Sequence, residues 1–423
     1  MTGANSFKKK RIRIGAYAPI SHPDERHVKE LAEAGVDFAI LEFKLIKESA
    51  ITPEFMSWFS KYGIDFTVDD PKTNKQICGG DVLDFEKEEL MFYQNESGYV
   101  SYCYVDEPGM SLFPELGEEV RRFNEKYPDK FAFINLLPLY ANEQQLKGGA
   151  WAAPIEYYDL DFSIYEQYLA EYVKYVDTHY ICVDIYPCKC RPDPNAPDRY
   201  PLKHVKVCYR DYVKSIEYVA NAARNSGREL WLCLQSCTWS QSARPVNGDE
   251  LKWQAYTCLS YGATMLLYYV FGARPGHDYS MIDFRGERTQ LYFDSKEMAE
   301  GLKKLSDVFV SYKNLGAFNV NSDPETTPYL EMNTPYTEFN VISEISADIP
   351  LLVGCFEKDG GKGNAFTLVN MQDFQTPKNG TVKLKINGKV TVYREGEPIV
   401  LSEDHGYYTV DLRQGEGVFA TIE

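Results

Sequence analysis

The chain has 423 residues, 44% hydrophobic and 25% charged. That is globular composition with enough apolar mass for a large core, and it excludes a disordered or collagen-like chain. Sixty-two acidic against 45 basic residues give a net charge of −17, a field that repels a nucleic-acid backbone.

From the amino terminus, β-rich runs alternate with helical segments. Arg11 to Ile20 reads as a strand, and Asp24 to Ala34 as an amphipathic helix stopped by Gly35. Asp37 to Phe43 is a second strand, Thr52 to Tyr62 a helix, and Ile64 to Asp70 a third strand. Phe85 to Gln94 reads as helical, Tyr99 to Val105 as a fourth strand, Glu115 to Lys126 as a helix and Phe131 to Leu137 as a fifth strand. Ile164 to Val176 is a helix, Tyr180 to Tyr186 a sixth strand, Val207 to Asn225 a helix and Glu229 to Gln235 a seventh strand. Glu250 to Tyr261, Met265 to Phe271 and Ser295 to Tyr312 complete the series as helix, eighth strand and helix.

Eight β–α repeats with near-continuous apolar strands predict an α/β fold, a (β/α)8 TIM barrel over residues 1–316. A doubly wound open sheet is the competing fold, but the first strand runs into GAYAP rather than a Gly-rich phosphate turn. From Phe318 short alternating runs and hairpin signals such as Asn379-Gly380 and Asn387-Gly388 predict an antiparallel β-sandwich over residues 317–423, bracing the barrel.

Ten scattered cysteines read as reduced thiols rather than a disulfide framework. The first residues carry Lys8, Lys9 and Lys10 but no apolar signal segment, so a cytoplasmic location is expected. No uncharged apolar run is long enough to cross a bilayer, so no membrane partner is expected. The aromatic fraction of 14% suits sugar faces as well as core and interface packing, and it is compatible with a homo-oligomer.

Barrel chemistry sits at the carboxyl ends of the strands. There the chain presents Tyr17 and then His22, Glu42, Asp69 and Asp70, Asp106 and Glu107, Asn135, Asp184 and Tyr186, Gln235 and Trp239, and Tyr268 and Tyr269 followed by Arg274 and His277. No His and Cys cluster at metal spacing, and Cys188-Lys189-Cys190 lacks matching partners, so no metal and no cofactor are expected. Carboxylates and amides bind hydroxyls and aromatics stack on ring faces, which points to a carbohydrate substrate.

The sharpest motif is Tyr104-Val105-Asp106-Glu107-Pro108-Gly109. Adjacent acids oppose each other's ionisation, so one is raised to act as general acid while its neighbour stays charged. A solvated turn would look the same, but the end of a barrel strand is where function is expected. Asp184 inside an apolar strand needs a partner or a role. Gln235, Glu42 and Asn135 each read equally as ligand groups or as bonded core amides and acids. Tyr186 and Trp239 read equally as sugar platforms or packing.

On these residues the chain resembles the TIM-barrel glycoside hydrolases. Asp106-Glu107-Pro108 looks like the Asn-Glu-Pro signature of clan A, whose glutamate is the acid/base. The resemblance implies that role for Glu107, with Asp106 in the asparagine's place. Clan A puts a nucleophilic Glu at the end of strand seven, where this chain has Gln235. The Asp-Glu pair is also similar to barrel-type β-N-acetylhexosaminidases. There the Asp orients the substrate's own acetamido group as nucleophile, and Tyr186 matches their strand-end tyrosine.

The expectation is a retaining, exo-acting glycosidase with Glu107, Asp106 and Asp184 catalytic. Tyr17, His22, Glu42, Asn135, Tyr186, Gln235, Trp239 and Tyr269 line the sugar subsite. Long loops at Gly148 to Tyr158 and Cys188 to Leu202 would close one side. A carbohydrate-binding barrel without turnover, and a lyase or isomerase on a sugar-like substrate, are the alternatives.

Overall fold

The computed structural model describes residues 10–17, 23–77, 79–152, 162–191, 205–239 and 243–423. Eight strands form one sheet: β1 (Arg13–Tyr17), β2 (Phe38–Glu42), β3 (Asp65–Asp69), β4 (Tyr99–Asp106), β5 (Phe131–Asn135), β6 (Tyr180–Asp184), β7 (Glu229–Gln235) and β8 (Ala263–Tyr269). Their order is β5-β4-β3-β2-β1-β8-β7-β6, and neighbours run parallel. The Leu136 N–H donates to the Cys182 carbonyl at 2.8 Å and closes β5 onto β6. The predicted TIM barrel is therefore present.

Side chains alternate across each strand and fill two cores. Inward-facing Phe38, Phe131, Phe133, Tyr180, Trp231 and Met265 plug the barrel. Tyr180 and Trp231 stack there with ring centres 3.7 Å apart. Outward-facing Ile14, Leu41, Val68, Ile134, Leu232 and Leu266 pack under the helices.

Helix boundaries follow local chemistry. Helix Pro53–Lys61 opens on Thr52, which accepts from the Phe55 N–H, and on Pro53 in its first turn. Helix Gly248–Ser260 opens with a reciprocal cap between Asn247 and Glu250. Glu250 also lies 2.6 Å from the buried Arg244. Glu250→Ala would strand that guanidinium, and about 3–5 kcal/mol of stability should be lost in urea unfolding followed by fluorescence. A change under 1 kcal/mol would mean that solvent already compensates Arg244.

Two expected helices need correction. The segment expected as helix Phe85 to Gln94 is only a 3-10 turn, Phe85–Leu90, in which no residue is buried. Only Phe85 packs against the core, half-buried, while Leu90 is exposed, so no apolar stripe of helical length forms, and the hairpin Asn74–Ile77 with Gly80–Leu83 takes up part of that connection. The helix expected from Val207 begins at Tyr212, because Val205–Cys208 pairs antiparallel with Cys188–Arg191. Residue 316, the expected boundary between barrel and sandwich, lies in strand Tyr312–Val320, which pairs with Leu351–Lys358.

The carboxyl-terminal region has a six-stranded and a three-stranded antiparallel sheet around a second core that includes Val353, Phe366, Leu384, Val410 and Val418. Its larger sheet packs on the barrel helices. Phe309 meets Phe419 at 5.3 Å, and the Ser260 and Thr367 hydroxyls bond at 2.7 Å. Cys103, Cys182, Cys208, Cys233, Cys237, Cys258 and Cys355 are free thiols. Among the described residues no helix is long and apolar enough to cross a membrane.

Candidate active site

The period of two that plugs the barrel also builds its rim. Phe38-Ile40-Glu42, Phe131-Phe133-Asn135, Tyr180-Cys182-Asp184 and Met265-Leu267-Tyr269 each run inward and end on a polar group. Asp106 pairs in register with Asn135.

Asn135 links the carboxylates. Its Nδ2 donates to Asp106 Oδ1 at 3.1 Å and to Asp184 Oδ1 at 3.0 Å. The Cys182 thiol donates to its Oδ1 at 3.4 Å, which fixes the orientation of the amide. Two acceptors on the two N–H bonds of one planar amide lie about 5 Å apart.

Glu107 follows in a left-handed backbone conformation, φ +50°. This region is uncommon for a non-glycine residue, and such strain gathers at functional sites. Backbone bonds over-determine it: the Glu107 N–H donates to the Asn135 carbonyl at 2.8 Å, and the Glu107 carbonyl accepts from the Ala150 N–H at 3.1 Å. Gly109 completes the turn, because a Cβ there would come within 2.3 Å of the Gly149 nitrogen.

Among the described residues no salt bridge reaches Asp106, Glu107 or Asp184. Burial, then the charges of Asp184 and Asp106, pushes the Glu107 carboxyl up to about 10. Burial, then Asp106, pushes Asp184 up to about 8, against the Asn135 bond. Burial also raises Asp106, but the Asn135 bond, Lys44 and Arg274 favour its charged form. Solvent reaches Asp106 through the mouth of the bowl, which further favours ionisation. Glu107 and Asp184 are thus the trio's proton holders, each held up in part by the charge of Asp106, and the three titrate as one coupled set.

Beside Asp106 the rim continues with Asp69, 2.9 Å from Lys44, and Glu42, 3.3 Å from Arg274. The Tyr269 hydroxyl bonds His277 Nε2 at 3.0 Å. Burial and Arg274 hold that imidazole below its ordinary pKa. Tyr186, Trp239 and Tyr269 meet edge to face or tilted at 4.7–5.4 Å, and Tyr17 joins Tyr269 at 5.8 Å. Trp239 and Tyr269 are part-exposed and offer apolar surface to the bowl, while Tyr17 and Tyr186 are buried behind them.

Gln235 is a correction. It has no exposed surface, and its amide is fully engaged. Its Oε1 accepts from the Cys188 N–H at 2.9 Å, and its Nε2 donates to the Cys188 and Arg244 carbonyls, both at 2.9 Å. It pins the hairpin after β6 and does not line a sugar subsite. Gln235→Leu should cost about 2 kcal/mol or more, since three buried partners lose their bonds. Urea midpoints check this; an unchanged midpoint would return the amide to the list of ligand groups.

His22 lies outside the described residues, as do residues 153–158 and 192–202 of the two long loops. Lys44 and Lys189 were not singled out from the sequence. Each follows a strand-end acid by a few residues, but only the fold brings Lys44 to Asp69 and Lys189 to Trp239. Lys189 Nζ sits 5.4 Å from the Trp239 ring centre and 5.6 Å from that of Tyr140. Burial pushes the ammonium down to about 8, against the pull of Cys188 and Asp184.

No protein-family model matches the chain, and no curated protein does. Solved structures do. A GH42 β-galactosidase from G. stearothermophilus is similar over 98% of each chain, with a TM-score of 0.55 and 8% identity. An Anoxybacillus α-amylase is similar over 97% of each chain, with a TM-score of 0.50 and 12% identity. At such identities the likeness is one of fold: the chain shares the TIM-barrel architecture of these two structures.

Proposed function

We propose that this chain is a retaining, exo-acting glycoside hydrolase, with Glu107 as general acid/base and Asp106 as its charged partner. The observation that carries this is the trio of carboxyls at the rim, free of ion pairs among the described residues, with Glu107 holding its proton at neutral pH. Glu107 protonates the departing glycosidic oxygen as the bond to the anomeric carbon breaks. Asp106 stabilises the positive charge that builds on the sugar ring, or orients an acetamido group that attacks in its place. Glu107, now ionised, takes a proton from the water that completes hydrolysis.

The Asn135 bridge favours a second form of the chemistry. Carboxylates about 5 Å apart have the spacing of a double displacement. Asp106 would then bond to the anomeric carbon, with Asp184 or Glu107 giving the proton to the leaving group. Water would release the sugar with its configuration retained. Proton NMR of the first-formed product tests retention, and an inverted anomer would rule out both forms. The length of the connections after β5 and β6 supports exo action, since long barrel loops are usually functional. Turnover of 4-nitrophenyl glycosides, with and without a 2-acetamido group, tests the hydrolase itself.

A further inference from the structure

Among the described residues, Lys44, Arg274 and Lys189 border the bowl. Lys44 and Arg274 are neutralised by Asp69 and Glu42. Lys189 differs. Among the described residues its ammonium has no carboxylate within ion-pair reach, and what it meets are the rings of Trp239 and Tyr140. Asp184 is near enough to be felt, but its Oδ1 is held by Asn135.

Lys189 is half-buried, and holding an ammonium there without a counter-ion still costs free energy. Ring faces recover part of that cost, yet a methionine would fill the same aromatic slot with no charge to desolvate. The slot also belongs to the candidate site, because Trp239 packs on Tyr186 and Tyr269 beside the carboxyl trio. A cation there, without an ion-pair partner among the described residues, fits an anion that arrives with the ligand.

We propose that Lys189 receives an anionic group on the substrate sugar, so that the site takes acidic glycosides. The group is the carboxylate of a uronic acid or an ester sulfate on the same part of the ring. A uronic carboxylate hangs from the carbon on one side of the ring oxygen, and the anomeric carbon lies on the other. A sugar with its anomeric carbon at Asp106 and Asp184 would therefore reach toward Lys189 with its acidic group. This inference rests on the glycosidase reading of the site.

The test compares wild type, Lys189→Met and Lys189→Arg on paired 4-nitrophenyl substrates of both anomers. The pairs are glucoside with glucuronide, galactoside with galacturonide, and each hexoside with its 6-sulfate. Calorimetry of free glucuronate, galacturonate, galactose 6-sulfate and the neutral sugars on Glu107→Gln, with and without Lys189→Met, reads binding apart from turnover. An acidic member should be preferred to its neutral parent by about 10- to 100-fold, the scale of one hydrogen bond to a charged group. Lys189→Met should erase that ratio and Lys189→Arg should keep most of it. The uronide and sulfate arms tell the two anions apart.

Equal preference for neutral and acidic members, or equal losses on both in Lys189→Met, would overturn the proposal and leave Lys189 as a neighbour that tunes Asp184. A Lys189-dependent binding preference without turnover of any glycoside would sink the hydrolase reading and leave this one standing. No binding and no turnover of any sugar would sink both.

Discussion

Glu107→Gln is expected to lower kcat by about 10²–10⁴-fold, the scale of lost general acid catalysis, while raising the melting temperature at alkaline pH. The two effects share one cause. In the unfolded chain this carboxyl titrates near 4.5, and in the folded protein burial and then two acidic neighbours push it up to about 10. Between those values folding holds a proton that unfolding releases. Stability therefore falls as pH rises from the lower value to the higher. Glutamine keeps the shape and never ionises, so the variant escapes that loss. Melting curves from pH 5 to pH 9 should show its advantage widening with pH. A constant gap would mean that Glu107 titrates as an ordinary surface acid and is not held protonated. Unchanged turnover would remove it as the acid/base.

Asp106→Asn is expected to cost about 10²–10³-fold or more in kcat, comparable with removing a preorganised charge-stabilising group. It should also move the pH profile. The Asp106 charge helps raise both Glu107 and Asp184. With that charge gone both acids ionise more readily, so the alkaline limb of kcat/KM should shift to lower pH. The limb belongs to the coupled set rather than to one residue. Azide separates the two forms of the mechanism. Recovery of turnover, with an azido sugar of the opposite anomeric configuration to the usual product, would identify Asp106 as the attacking group. No recovery, with the defect confined to acetamido sugars, would identify it as the orienter of the substrate's own nucleophile. A variant with full activity and an unmoved limb would exclude Asp106 from both roles.

The barrel was legible because strands buried on both faces are written as apolar runs, and each run here is bounded by glycine, proline or a cap. The failures came where a segment's partner is distant. Phe85–Leu90 has apolar residues but buries none of them, and Val205–Cys208 is a strand only because Cys188–Arg191 lies beside it. The site divided along the same line. Asp106, Glu107, Asn135 and Asp184 were marked by polar residues closing apolar strands. Gln235 carried that mark too, yet its amide turns back to bind the backbone of Cys188 and Arg244. A strand-end amide spent on a neighbouring loop and one offered to a ligand are spelled alike. Lys44 and Lys189 carried no mark, since what they meet comes from distant parts of the chain: Asp69 for the first, Tyr140 and Trp239 for the second.

The left-handed turn at Glu107 makes position 107 a marker of selection. Glycine or asparagine would relax that backbone, and a neutral side chain would remove the buried proton's penalty. Every local preference therefore pulls this codon away from glutamate. In a library selected for folding alone, 107 should be among the first rim positions to drift, and its variants should survive heating better than the parent. In a library selected for turnover it should stay fixed. The contrast between the two libraries would read out, from sequence counts alone, which side chains the chemistry holds in place against the fold.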